Sequence, residues 1–288
     1  MAIVLLSALL HAVWSVAIKD SRNPLAFNLL QTALWFPAGA LLLATVDLSG
    51  FPPVVWALLG ATGIVHAGYF YWMSRAFESS ELSLVYPIAR STPAFLPLVA
   101  IPLFGEPVLP LGALGIVIVV VGMWCVHAGG GLRLRDLFSR GTGYAYLTLA
   151  TTVVYGVTDK AVMVELHASG WQDAVPRVVF MYVLMQTACV VFFAPLALWR
   201  LPRVEVLETA RREWKRVVVA ACISLASYSL ILHVLQTAPA SYVVAVRQVS
   251  VLFVVAMSIF WLGEEPSRMR ILGALTTVVG VGLIGIAG

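Results

Sequence analysis

Residues 82–104 read LSLVYPIARSTPAFLPLVAIPLF, an apolar run interrupted by one charge, Arg90. At ~1.5 Å per residue the run is long enough to cross the ~30 Å hydrocarbon core of a bilayer as a helix. Outward from it, comparable runs occupy 2–19, 25–46, 54–76, 108–127, 143–166, 176–198, 217–237, 240–262 and 270–287. The whole chain is 61% hydrophobic and only 11% charged. A soluble domain carries ~25% charged residues and could not cover its surface with so few. A β-barrel would show ~10-residue alternating strands, which are absent. The reading is therefore an all-α integral membrane protein of ten transmembrane helices. The first run lacks a basic start and a small-x-small cleavage site, so it reads as a spanning helix, not a signal peptide. The net charge of +4 reports loop placement and gives no reason to expect nucleic acid. Cys125, Cys189 and Cys222 all lie inside apolar runs, where free cysteine behaves as a small apolar residue.

The runs form two related halves. His11-Ala12-Val13-Trp14-Ser15-Val16 aligns with Thr152-Val153-Val154-Tyr155-Gly156-Val157, and the same offset carries Lys19 onto Lys160. Further along, Gly105-Glu106 aligns with Gly263-Glu264, and Gly112-Ala113-Leu114 with Gly273-Ala274-Leu275. Five helices is an odd number, so consecutive halves must insert in opposite orientations. This is the inverted repeat used by many secondary transporters. The division is a first repeat at 1–128, a basic inter-repeat loop at 129–141 and a second repeat at 142–288. A second long basic connection runs from Arg200 to Arg216. Nearly all loop Lys and Arg fall in the odd-numbered connections, while the even ones hold essentially Arg177. The positive-inside rule then places the odd connections in the cytoplasm and both termini outside.

Phe104-Gly105-Glu106-Pro107 closing a Pro-rich fourth helix, and Leu262-Gly263-Glu264 closing the ninth, resemble the EamA family of the drug/metabolite transporter superfamily. His11-Ala12-Val13-Trp14 with Lys19, and Tyr86-Pro87-Ile88-Ala89-Arg90, resemble one bacterial subgroup of it. The resemblance covers essentially the whole chain. It implies a ten-helix basket around a central cavity lined by helices 1, 3, 4, 6, 8 and 9, working by alternating access in a bacterial inner (cytoplasmic) membrane. It implies no particular substrate, since relatives move amino acids, nucleotide sugars, organic phosphates, choline-like cations and vitamins.

Charges inside spans are costly, ~2.5–3.5 kcal/mol each near the helix centre, and so mark candidate sites. Arg90 lies in the fourth run and Arg247 in the ninth. Through the repeat Arg90 aligns with Gln248, one position from Arg247, so inverted symmetry brings the two arginines to similar depth. Two guanidiniums on one cavity suit a carboxylate, phosphate or phosphonate, which arginine binds bidentately. The competing role is structural, with each arginine holding carbonyls freed near Pro87, Pro93 and Pro97. Lys160, followed by an apolar stretch, is a cavity candidate, or an ion-pair partner of another helix. Lys19 ends its run beside Asp20 and can snorkel to the interface. Asp159 is a candidate proton-coupling carboxylate or a fixed counter-ion. Trp14, Tyr155 and Tyr86 neighbour these charges, and Tyr86 shares a helix face with Arg90 four residues on. The substrate-binding candidates are therefore Arg90, Arg247, Lys160, Lys19, Tyr86, Trp14, Tyr155 and Gln248, with Asp159 for coupling. Glu106 precedes Pro107 and is expected to serve the positive end of the fifth helix's dipole. His11, His66 and His233 are single histidines without metal-ligand spacing.

Gly280-Val281-Gly282-Leu283-Ile284-Gly285 matches the dinucleotide fingerprint, but no strand precedes it and no acid follows. Close helix packing explains these glycines better. No recognisable catalytic set, metal site or cofactor motif occurs, so the expectation is a transporter, not an enzyme, with no cofactor. It would move a small anionic or zwitterionic metabolite, of amino acid or organophosphonate/phosphate type. The alternative is a flippase or membrane enzyme acting on a phosphorylated lipid head group. The expected partners are the small-molecule substrate, the lipid bilayer and protons as candidate coupling ion, in a monomer or homodimer.

Overall fold

The computed structural model describes residues 1–19, 21–79, 88–128, 142–172, 174–253, 256 and 267–287. Tyr86, the loop at 129–141 and Glu264 lie outside them, as does the side chain of Lys19. The described elements are all helical: α1 Ala2–Lys19, α2 Pro24–Ala33, α3 Phe36–Thr45, α4 Pro53–Ser79, α5 Thr92–Phe104, α6 Pro110–Ala128, α7 Gly143–Ala168, α8 Ala174–Arg200, α9 Arg203–Leu235, α10 Ala240–Arg247 and α11 Arg268–Ala287. Six helical stretches are long and apolar enough to cross a membrane, with α2 and α3 counted together, and four shorter apolar helices join them. Each of these ten overlaps one of the ten apolar runs over the residues described. α2 and α3 are one span broken by Pro37, whose ring has no N–H and clashes with the carbonyl of Ala33, where α2 stops.

The halves interleave. α4 packs on α7 and α8, while α1 packs on α9 and α2 on both α8 and α9; α5 packs on α10 and α6 on α11. Exchanging equivalent spans between halves maps this pattern onto itself. The α6–α11 pair is held by glycines, as expected for the tenth run. A Cβ on Gly122 would meet the Gly273 carbonyl at 2.7 Å, and one on Gly280 would meet the Gly115 carbonyl at 2.7 Å. Such backbone approach replaces the hydrophobic drive that is missing inside lipid. Gly282, from the same motif, meets nothing within 4 Å. Outward faces carry bulky apolar side chains such as Leu98, Leu103, Val117 and Leu275, suited to acyl chains.

One expected connection is different. The stretch from Arg203 to Arg216 is not a loop but the first turns of α9, which runs unbroken for 33 residues. Only Leu201 and Pro202 separate it from α8. Charges concealed this helix in the sequence, because it projects past the apolar run. It docks on the α1–α2 turn: the Ser21 hydroxyl and Arg22 amide each donate to Glu213 Oε1 at 3.3 Å, and Asn23 donates to Glu205 at 2.7 Å.

Candidate binding site at two helix breaks

Both intramembrane arginines sit where a spanning helix is interrupted. Arg90 occupies a turn, followed by Ser91 as the N-cap of α5. Pro93 explains the break, since its ring opposes helix at the residues before it. Arg247 is the last residue of α10; Gln248 is a turn, and helix resumes at 249–253. The Gln248 amide donates back only three residues, to the Ala245 carbonyl at 3.1 Å. Irregular backbone at membrane depth is tolerated where it is buried in protein or lines a cavity, and such a cavity is present. A space of about 70 Å³ is lined by His11, Arg90, Tyr155, Tyr228, Arg247 and Gln248 among others. Its walls come from α1, α4, the Arg90 turn with α5, α7, α9 and α10, the six spans implied by the family resemblance. A second space of about 40 Å³ shares His11, Tyr69, Tyr155, Tyr228 and Arg247 with it, and adds Trp14, His66 and Gln186 among others.

His11 stands between the arginines. Arg90 Nη1 lies 2.9 Å from its Nε2, and Arg247 Nη2 lies 3.4 Å from its Nδ1. Guanidinium groups only donate, and a neutral imidazole accepts at one nitrogen alone. Nε2 accepts at the shorter contact, so Nδ1 carries hydrogen and faces the Arg247 donor. Arg247 Nε is buried without a hydrogen-bond partner, and among the described residues no carboxylate forms an ion pair with Arg247. Its guanidinium lies 5.2 Å over the Tyr228 ring, a contact that accepts positive charge only weakly. Beside it the buried Gln248 Oε1 is also without a partner. The cavity wall therefore holds surplus donors and one adjacent free acceptor.

The remaining candidates are distributed as follows. Tyr155 and Gln248 line the larger space with the arginines, and Trp14 lines the smaller one. Trp14 stacks on His11 with centroids 5.0 Å apart, and its indole N–H donates to Gln31 at 2.9 Å. Lys160 lines neither space. Its Nζ donates to the carbonyls of Leu235 and Ala238 at 2.8 and 2.9 Å, closing the carboxyl end of α9. Asp159, one residue earlier, points to a different neighbourhood, as adjacent helix positions must. It is fully buried against Thr62, His66 and Tyr228. Glu106 corrects the sequence expectation. It does not serve its own helix but caps α10, accepting from the Ala240 and Ser241 amides at 2.5 and 3.1 Å and from the Ser241 hydroxyl at 2.5 Å. His11, His66 and Tyr228 carry site geometry that the sequence reading did not assign to them. For His11 the sequence signals are its place one turn from Trp14 on the first run and in the His11-Ala12-Val13-Trp14 motif.

Comparison with known proteins adds the family. The model of the EamA-like transporter family matches residues 1–127 and 168–286. The chain belongs to the EamA-like transporter family. It is therefore a multi-pass membrane protein of the drug/metabolite transporter superfamily, and its two matched segments fall one in each half. Most of α7, with Tyr155 and Asp159, lies between the segments. A protein solved by crystallography is similar over 99% of this chain and 96% of its own, with a TM-score of 0.76 and 18% identity. At that identity it shows this EamA fold alone. No curated protein matches the sequence.

Proposed function

We propose that this EamA protein is a secondary transporter of a small anionic or zwitterionic metabolite, working by alternating access in a bacterial cytoplasmic membrane. The observation that carries this reading is the convergence of Arg90 and Arg247 on the two ring nitrogens of His11. One arginine comes from each half, each at a helix break. A carboxylate, phosphate or phosphonate entering there would accept from Arg247 Nε and from the His11 N–H that faces the Arg247 donor. Unpaired buried donors cost roughly 1–3 kcal/mol each, so an acceptor that satisfies them is held by that difference. Gln248 Oε1 would receive a donor on the same solute, which suits amino acids and aminophosphonates. Rocking of the halves about the two breaks would expose the cavity to each face in turn.

The test is thermal stabilisation of purified protein by inorganic phosphate, 2-aminoethylphosphonate, glutamate and choline. A ligand at a hundred times its Kd adds about 2.7 kcal/mol of stability by mass action. We expect acidic or zwitterionic solutes to stabilise the wild type and to lose that effect in Arg90→Ala and Arg247→Ala. Stabilisation by choline alone, or folded variants that respond as wild type does, would refute the anion reading.

A further inference from the structure

Behind the cavity a second ionisable group lies unused by the binding site just described. Asp159 has no exposed surface. Its Oδ1 receives the Thr62 hydroxyl at 2.5 Å, its Oδ2 receives the Tyr228 hydroxyl, and His66 Nε2 stands 3.7 Å from Oδ2. Counting hydrogens fixes what this arrangement needs. The Thr62 hydroxyl commits its only hydrogen to Asp159, so towards His66 Nδ1, 3.0 Å away, it can only accept. The Thr62 carbonyl, also 3.0 Å from Nδ1, can only accept as well. Nδ1 therefore carries a hydrogen. With no further proton, the bare lone pair of Nε2 would face a carboxylate oxygen. One proton, on Nε2 or on Asp159, removes that repulsion. The geometry leaves a place for one shared proton between Nε2 and Asp159.

Tyr228 joins this site to the arginines, with its hydroxyl on Asp159 and its ring under the Arg247 guanidinium. Tyr155 stacks on His66 at 4.3 Å and lines both spaces. The titratable and charged groups around Asp159 are His66 from α4, Tyr228 from α9 and Arg247 from α10, with Tyr155 and Lys160 on α7 itself. Lys160 is turned away onto the end of α9. α8 contributes Tyr182, 6.3 Å from Tyr228, and α5 meets this part of α7 through the apolar Leu96 against Gly156.

We propose that Asp159 and His66 form the coupling site, binding one proton together with each anion held at Arg247, so that both cross in one step. This rests on the anion reading of the arginine site. A bound anion offsets the Arg247 charge, which otherwise repels the proton, and by reciprocity the proton favours the anion by the same factor. The Tyr228 side chain lies between the two charges; for charges on the order of 10 Å apart at an effective dielectric of about 20, that factor is on the order of tenfold. The proton enters from the compartment the cavity faces and leaves to the opposite one with its anion. A monoanion is then carried without net charge.

Infrared spectra of purified protein across about pH 4–9, first alone and then with methylphosphonate, test this. In the wild type a carboxyl or imidazole band should titrate and be lost in Asp159→Asn or His66→Gln. Tyr228→Phe keeps both ionisable groups and should shift the band by removing one hydrogen bond. Arg247→Gln, with no ligand present, should hold the proton about tenfold more tightly, and methylphosphonate should then add nothing. No band dependent on Asp159 or His66 in the wild type overturns the proton site. A titration unchanged in Arg247→Gln overturns its link to the arginines. A titration that moves in Arg247→Gln but ignores methylphosphonate in the wild type supports the proton site while sinking the anion reading beneath it.

Discussion

Glu106→Ala should be among the most destabilising single changes in the protein, and for a reason absent from its own helix. α10 begins after Pro239, which offers no capping side chain. The first amides of the helix are satisfied instead by a carboxylate from the other half of the chain, and the Ser241 hydroxyl is too. Glu106 is 7% exposed, so water does not replace it readily. Removing the carboxylate leaves two buried amides and a hydroxyl without an acceptor, at roughly 1–3 kcal/mol for each buried group, less what relaxation recovers. Losing a negative charge at a helix amino end adds about 0.3–1 kcal/mol. A total of about 3–5 kcal/mol, at roughly 2–4 °C per kcal/mol, lowers Tm by about 6–20 °C. Circular dichroism of detergent-solubilised protein reads this directly. Glu106→Gln keeps one acceptor and should lose about half as much. Ser241→Ala removes only the hydroxyl, at about 1 kcal/mol, and should add almost nothing on top of Glu106→Ala, because both act on one cap. A Glu106→Ala protein within about 1 °C of wild type, or strict additivity with Ser241→Ala, would refute the cap. Additivity is the result expected if Glu106 served the dipole of its own helix.

Lys160→Met should lower Tm by several degrees, because the Leu235 and Ala238 carbonyls lose their donor. The response to stabilising anions should survive, since Lys160 lines neither cavity. Gly273→Ala drives a methyl to 2.6 Å from the Gly122 carbonyl and should separate α6 from α11, seen as a large drop in Tm. Gly282→Ala, facing open space on the same helix, should be neutral or stabilising by up to about 1 kcal/mol through helix propensity alone.

The parts legible in the sequence were those whose physics is local. A run of apolar residues long enough to span lipid identifies itself, and one charge within it stands out, which is how Arg90 and Arg247 could be found. The repeat pairs Arg90 with Gln248, next to Arg247. What stayed hidden depends on contacts between halves. His66 and Asp159 are 93 positions apart, on α4 and α7, so no spacing rule joins them. Glu106 reaches a helix start 134 residues away. Lys160 shows the opposite error: its depth was sensed, but a helix end that needs a donor and a solute that needs one look alike in sequence. The charged start of α9 resembles a loop in sequence because a helical extension beyond the apolar run carries no membrane signal.

The two arginines also show why the repeat was an imperfect guide. They are not equivalent positions: Arg90 pairs with Gln248, and the break at Arg90 is imposed by proline while the break at Gln248 has none nearby. One imidazole stands between the two arginines, and a second at the repeat-equivalent position would enter the same cavity. His11 is that one imidazole, and its repeat equivalent, Thr152, lines the same cavity as a small hydroxyl. Divergence at the centre thus gives the cavity a direction that symmetry alone would deny it. The cationic wall lies at Arg90, His11 and Arg247, and the buried carboxylate is displaced to the α7 side behind Tyr228. In the proposed transport step that offset would keep a solute's acidic group apart from the proton while leaving the two within electrostatic reach of each other. Restoring the symmetry by Thr152→His should crowd His11 and the arginines and abolish stabilisation by small anions, whereas Thr152→Ser should preserve it.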